Sequence, residues 1–152
     1  MKQFFFFLAL FFASHPVSAQ TKEDSLAIQQ AALDYIESQH MPDTLRMARA
    51  LHPRMVKRTV WMDQSTGKDY IGETSAEYMI LLAESYNKTG GKFPATPKKE
   101  VRLLDVSTRT ASVKLIADEW IDYMHLVKIN GGWKVINVLW QYHDAGRHAG
   151  LK

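Results

Sequence analysis

This 152-residue chain has no cysteine, so its histidines, carboxylates and aromatic side chains carry whatever chemistry it performs. Thiolate nucleophiles, disulfides and cysteine metal ligands are excluded outright. His125 stands first among the remaining candidates. It falls mid-strand among Tyr123, Val127, Ile136, Val138 and Trp140, on a face expected to line a pocket. An imidazole there suits proton transfer near neutral pH. The alternative is a core histidine hydrogen-bonded to a neighbour such as a tyrosine hydroxyl. Spacing fixes no acidic partner for it. Asp34 is a candidate beside Tyr35, but helical geometry turns it away from the apolar stripe and towards solvent. His52, before Pro53, reads as a pocket-rim residue or as a charge complementing a helix C-terminus. His143 and His148 form no spaced ligand pair with a carboxylate on one regular element, so no metal site is expected.

The aromatic residues give a second set of candidates. Tyr35, Trp61, Tyr78, Tyr86, Trp120, Tyr123, Trp140 and Tyr142 are numerous for a domain of this length. Tyrosine and tryptophan combine apolar area with a polar tip, which suits a cavity for a flat organic ligand. They suit an ordinary core or a subunit interface equally well. The expected ligand-binding set is Tyr35, Trp61, Tyr78, Tyr123, His125, Trp140 and Tyr142. Lys57 and Arg58 have the charge to anchor an anion, or they are solvated charges on an edge strand. No Gly-rich phosphate loop, Gly-x-Ser-x-Gly elbow or His-Glu-x-x-His helix occurs, so the enzyme classes built on them drop out. No cofactor is expected.

The elements that must position these residues are legible from periodicity and turn chemistry. Residues 120–142 read as two long strands joined at Asn130-Gly131-Gly132, where positive φ angles are available for a tight hairpin turn. An unbroken two-residue-loop hairpin would place Tyr123, His125, Val127 and Ile129 on one face with Ile136, Val138, Trp140 and Tyr142. The other face would carry Met124, Leu126 and Lys128 with Trp133, Val135, Asn137 and Leu139. Both faces are largely apolar, so each needs a cover: helices and a pocket over the first, a second subunit or layer against the second.

Upstream, residues 25–39 predict a helix, with Ile28, Ala31, Ala32, Tyr35, Ile36 and Gln39 on one stripe and Asp24 or Ser25 as its cap. A shorter helix follows Asp43 and ends before Pro53. Residues 55–63 read as a strand and residues 70–72 as a short return strand. Thr74-x-x-Glu77 has the form of a capping box for a third helix over residues 75–87. Strands over 99–106 and 110–118 precede the hairpin, and the tail after Tyr142 shows no period and is expected to be mobile. Helices first and then a run of strands argue an α+β domain, with helices packed on one face of a curved antiparallel sheet.

Composition bounds the setting. The first nineteen residues have a lysine start, an apolar run and a Val17-Ser18-Ala19 end, the pattern of a cleaved signal peptide. A single domain over residues 20–152 is expected, exported to the periplasm or secreted, and without a cysteine for lipidation. The net charge of +3 is small, and the basic stretches at Arg54, Lys57 and Arg58 and at Lys98-Lys99 are short. That argues against a nucleic-acid partner, and no membrane partner is expected.

Several stretches resemble a known family. They are residues 32–36, ALDYI; 47–53, MARALHP; 56–58, VKR; 123–128, YMHLVK; and 132–140, GWKVINVLW. They are similar to the putative lumazine-binding family of the nuclear transport factor 2-like, SnoaL-like superfamily. The resemblance implies a cone-shaped α+β domain with a pocket between helices and sheet, commonly paired as a homodimer through the sheet. It implies no particular site residues. Two functions remain open: a non-catalytic domain binding a small organic molecule in an aromatic-lined pocket, or a cofactor-independent isomerase- or dehydratase-like enzyme using His125 as acid or base. A filled protein-interaction domain is a third.

Overall fold

The structure, a computed structural model, describes residues 21–150; the expected signal segment lies outside them. Three helices cover one face of a six-stranded sheet. Helix α1 spans Lys22–His40, α2 Thr44–Ala50 and α3 Ala76–Ser85. The strands are β1 Leu51–Met62, β2 Asp69–Ser75, β3 Lys99–Val106, β4 Thr110–Ala117, β5 Trp120–Ile129 and β6 Gly132–Tyr142. Their order across the sheet is β2-β1-β6-β5-β4-β3. The α+β architecture is the expected one. One pairing differs: β1 runs parallel to β6, Lys57 beside Val138, so the sheet is mixed. The α2–β1 turn and the long excursion through α3 bring β1 to the free edge of the hairpin, a placement that no local pattern encodes.

The caps follow ordinary chemistry with small shifts of position. Thr21, ahead of the two expected candidates, caps α1 by accepting from the Asp24 N–H at 3.0 Å. This frees the Asp24 carboxylate to accept from Lys128 at 2.6 Å and from the Trp133 indole at 2.8 Å, which ties the start of α1 to the hairpin. Ser75, not Thr74, caps α3 by accepting from the Tyr78 N–H at 3.2 Å. Asp43 caps α2 as expected.

Asp34 corrects an expectation. It is buried, not solvated, because α2 packs along the flank of α1 that a single stripe leaves out. Its carboxylate accepts from Gln30 at 3.0 Å, Arg46 at 3.1 Å and Arg49 at 3.0 Å. Burial alone would raise its pKa; the Arg49 and Gln30 hydrogen bonds and the two arginine charges outweigh burial and hold it below the ordinary value.

The hairpin is where expected, but its faces are not. Asn130 and Gly131 both take positive φ, 51° and 79°, and form the tight turn. Near the turn Val127 pairs with Lys134, as an unbroken hairpin requires. Ile136 is then an extra residue, and beyond it His125 pairs with Asn137 and Tyr123 with Leu139. A bulge of this kind inverts the side-chain phase of the rest of the strand. The helix-facing side therefore carries Trp120, Asp122, Met124 and Leu126 with Trp133, Val135, Val138, Trp140 and Tyr142. Met124, Leu126, Val135 and Val138 are each no more than 1% exposed. Tyr123, His125, Asn137 and Leu139 face outward.

The tail is also built rather than loose. A single 3₁₀ turn, Ala145–His148, packs where β1 and β6 separate, and the Gly150 N–H donates to the Met62 carbonyl at 2.8 Å. His148 accepts from the Tyr142 N–H at 2.8 Å, and its ring lies among Trp61, Trp140 and Tyr142.

Candidate functional site

The interior between helices and sheet contains a charged group where an apolar core is the norm. On β1, Met55, Lys57, Thr59 and Trp61 point inward; on β5, Asp122 does so between Trp120 and Met124. Lys57 and Asp122 thus meet across β6, with Nζ 3.1 Å from Oδ1. Both are at least nine-tenths buried, with side-chain exposures of 9% and 0%. The Trp120 indole N–H donates to the other Asp122 oxygen at 3.1 Å. The Lys57 ammonium also donates to the Tyr35 hydroxyl oxygen at 2.7 Å, and Tyr35 is wholly buried on α1. Nζ lies 4.8 Å from the centre of the Trp140 ring, so the indole face completes its surroundings.

A cavity of about 160 Å³ opens above this network. Lys57, Gln39 and Thr74 give it polar groups; Trp120, Trp140, Tyr142, Tyr86, Met79 and Leu82 give it apolar walls. Trp61 buttresses the wall from β1, its ring 5.8 Å from that of Trp140 and 6.4 Å from that of Tyr142. It needs a glycine opposite, since a Cβ on Gly72 would come within 2.6 Å of the indole. A roomier hollow of about 440 Å³ lies on the far side of the tail, against Val60, Met62, Tyr123 and Leu139. No buried charge lines it, so the smaller cavity, with Lys57 in its wall, is the one with chemistry behind it.

The electrostatics fix protonation states. Burial works against the Lys57 ammonium, but the Asp122 carboxylate and the Tyr35 oxygen outweigh it, and the lysine pKa stands above its ordinary value. Burial raises the Tyr35 phenol to about 12, with the Asp122 charge adding to the effect. Burial also pushes the Asp122 carboxyl upward, against Lys57 and the Trp120 N–H. The contacts of Asp122, two N–H donors on two oxygens, are those of an ionised carboxylate in an ion pair. Near neutral pH the site offers a fixed ammonium donor and a neutral phenol, and no free base.

Of the seven expected ligand-binding residues, the structure brings four together. Trp140 and Tyr142 line the cavity, Trp61 packs behind them and Tyr35 lies beneath Lys57. The other three are elsewhere. Tyr78 is 55% exposed on the outer side of α3. Tyr123, at 40%, and His125 lie on the outer face of the sheet, which the bulge puts opposite to the expected one. His125 Nδ1 is 3.1 Å from the Asn137 amide nitrogen, not beside a tyrosine hydroxyl or an acid. It therefore does not reach the interior cavity, and the geometry on which its acid–base role rested is absent. His52 sits at the start of β1, where its Nδ1 accepts from the Arg54 N–H at 3.1 Å.

Sequence reasoning missed Asp122 altogether and left Lys57 as either an anion anchor or a solvated edge-strand charge, not as one half of a buried pair. The signal was present: Asp122 is the one acid in phase with Trp120, Met124 and Leu126, and Lys57 is in phase with Met55 and Thr59. A charge in the inward phase of each of two strands of opposite sign is the pattern of a buried pair.

Helices packed against a curved mixed sheet of six strands are an NTF2-like architecture, and solved structures described as NTF2-like superpose on this one. An NTF2-like protein of unknown function from Silicibacter pomeroyi is 13% identical, with a TM-score of 0.63 over 82% of this chain and 99% of that one. One from Shewanella baltica is 17% identical, with a TM-score of 0.61 over 82% and 98%. The association domain of CaMKII from C. elegans is 10% identical, with a TM-score of 0.55 over 79% and 96%. The sequence itself is more specific: residues 23–141 match the model of the putative lumazine-binding family, and the chain belongs to that family. The comparison with curated protein sequences found no match.

Proposed function

We propose that this protein is a non-catalytic binding domain for a small, flat organic molecule, held in the interior cavity against Trp120, Trp140 and Tyr142 with Lys57 at its floor. The observation that carries this reading is the Lys57 ammonium, which is buried and charged yet opens onto an aromatic-walled space. A lysine buried with its acid serves no packing purpose that apolar residues would not serve as well. Here it aims a strong donor into a cavity. The absence of a free base in this wall, with Tyr35 held protonated, favours binding over proton abstraction. Membership of a family described as lumazine-binding is in keeping with a flat heterocyclic ligand.

The same proposal includes export and pairing. Residues 1–19 have the order of charge, apolar run and small residues that signal peptidases cleave, which would place the mature protein outside the cytoplasm. The outer sheet face carries Val60, Ile71, Tyr123 and Leu139, each at least 40% exposed, and is the surface for a homodimer.

The experiment is tryptophan fluorescence of the purified protein titrated with a panel of flat heterocycles. A saturable change is expected, abolished by Trp140→Ala. Saturable binding unchanged in that variant would place the ligand elsewhere and sink the proposal for this cavity.

A further inference from the structure

The outer face of the sheet carries a polar row beside its apolar residues, and the row compensates itself. Its members are Glu73 on β2, Arg58 on β1, Asn137 on β6 and His125 on β5. Arg58 Nε donates to Glu73 Oε1 at 2.6 Å, and its Nη1 donates to Asn137 Oδ1 at 3.0 Å. A guanidinium has no acceptor, so the second contact fixes the Asn137 amide with its nitrogen towards His125. That nitrogen, 3.1 Å from His125 Nδ1, can only donate. Nδ1 is therefore the acceptor, and the imidazole is neutral with its proton on Nε2. Arg58 and Glu73 cancel, so the row has no net charge. Such a row can be covered by another protein surface without stranding a charge.

A proton on His125 removes that property. It would set a second N–H against the Asn137 amide nitrogen. The amide cannot turn round, because its nitrogen would then meet Arg58. No carboxylate takes up the new charge either: among the described residues none forms an ion pair with His125. The strands beside it are β4 and β6. On the same face β4 carries Lys114, whose Nζ lies 5.3 Å from the centre of the Tyr123 ring, and β6 carries Lys134. Further out stand Arg58 with Glu73, and Asp105, Arg102 and Glu100 on the edge strand β3, with Asp69 on β2. The protonated ring would thus add a positive charge between two lysines.

Resting on the homodimer proposed above, we infer that His125 makes this pairing pH-sensitive: two copies of the chain associate through the outer face while both imidazoles are neutral, and part when they are protonated. Imidazole is the side chain that changes charge between about pH 5 and 8. His125 acts here through the polar row and touches no ligand.

The test is sedimentation equilibrium of the purified protein at about pH 7.5 and about pH 5, with circular dichroism to follow its fold. The dissociation constant of the wild-type dimer should rise at least about tenfold on acidification, because one imidazole in each copy is linked to the pairing. His125→Gln keeps an oxygen for the Asn137 amide and takes up no proton. His125 is exposed in the single chain, so the variant should fold, and its dimer should be equally tight at both pH values. A wild-type dimer that is equally tight at both would overturn the inference and leave the homodimer standing. A His125→Gln dimer that weakens as much as the wild type would assign the effect to another group and overturn the inference too. Wild-type protein that is monomeric at both pH values would overturn the homodimer itself, and the inference with it.

Discussion

At the scale of single residues, the Lys57–Asp122 pair decides most. Truncating one partner of a buried pair leaves the other charged and without compensation, which costs about 3–5 kcal/mol. Lys57→Ala should lose stability of that order in urea denaturation, whereas Lys57→Met with Asp122→Leu should lie close to the wild type; equal losses would mean that packing rather than charge governs the site. The pair and its tyrosine also predict an alkaline limit. The unfolded chain releases the Tyr35 proton at its ordinary value of 10.0, while the folded protein holds it to about 12. A group whose folded pKa is raised contributes stability that is complete below the unfolded value and lost as pH rises through the folded one. Lys57, raised above its ordinary 10.5, acts in the same direction. The denaturation midpoint should therefore fall steeply between pH 10 and about 12, and Tyr35→Phe should make that fall shallower. An unaltered slope in Tyr35→Phe would contradict the assignment.

At the scale of elements, one bulge carries the site. Sequence periodicity placed β3, β4, the hairpin and its turn correctly, because alternation and Asn-Gly chemistry are local signals. It could not place Ile136 as the extra residue. Nothing in Lys134-Val135-Ile136-Asn137-Val138 marks a bulge, since every residue there suits a strand on either face. The error then propagated: His125 and Tyr123 were read inward, Met124 and Leu126 outward, and Asp122 passed unnoticed. The parallel seating of β1 against β6 was hidden for a related reason, being a contact between segments about 80 residues apart. The burial of Asp34 depends likewise on α2 docking on α1. Trp61, Trp140 and Tyr142, three of the seven residues expected at a ligand site, lie together in the structure, whereas Tyr78 and Tyr123 of the same set are exposed elsewhere. Deleting Ile136 should close the bulge and leave Asn137 opposite His125, with Val138, Trp140 and Tyr142 still inward. A cooperative thermal transition with little change in tryptophan emission is expected; loss of both would show that the extra residue itself, and not only the phase beyond it, is needed by β6.

At the scale of the whole molecule, the two sides of the sheet divide the work. The helix-facing side encloses the core and the Lys57 cavity, and the outer side presents Val60, Tyr123 and Leu139 around Arg58, His125 and Asn137. If the homodimer proposed above forms there, Leu139→Asp should yield a folded monomer by analytical ultracentrifugation. Leu139 is half exposed in the single chain, so folding should tolerate the change, whereas Leu126 lies in the core and a charge there would unfold the protein. A Leu139→Asp protein that remains a dimer would remove this face from consideration. The most direct test of the interior cavity as a binding site is native mass spectrometry of the protein purified gently from its own source. The proposal predicts a folded species carrying extra mass equal to one small organic molecule per chain, released on denaturation and absent from Trp140→Ala. Wild-type protein at its bare chain mass, with no added mass lost on denaturation, would contradict it.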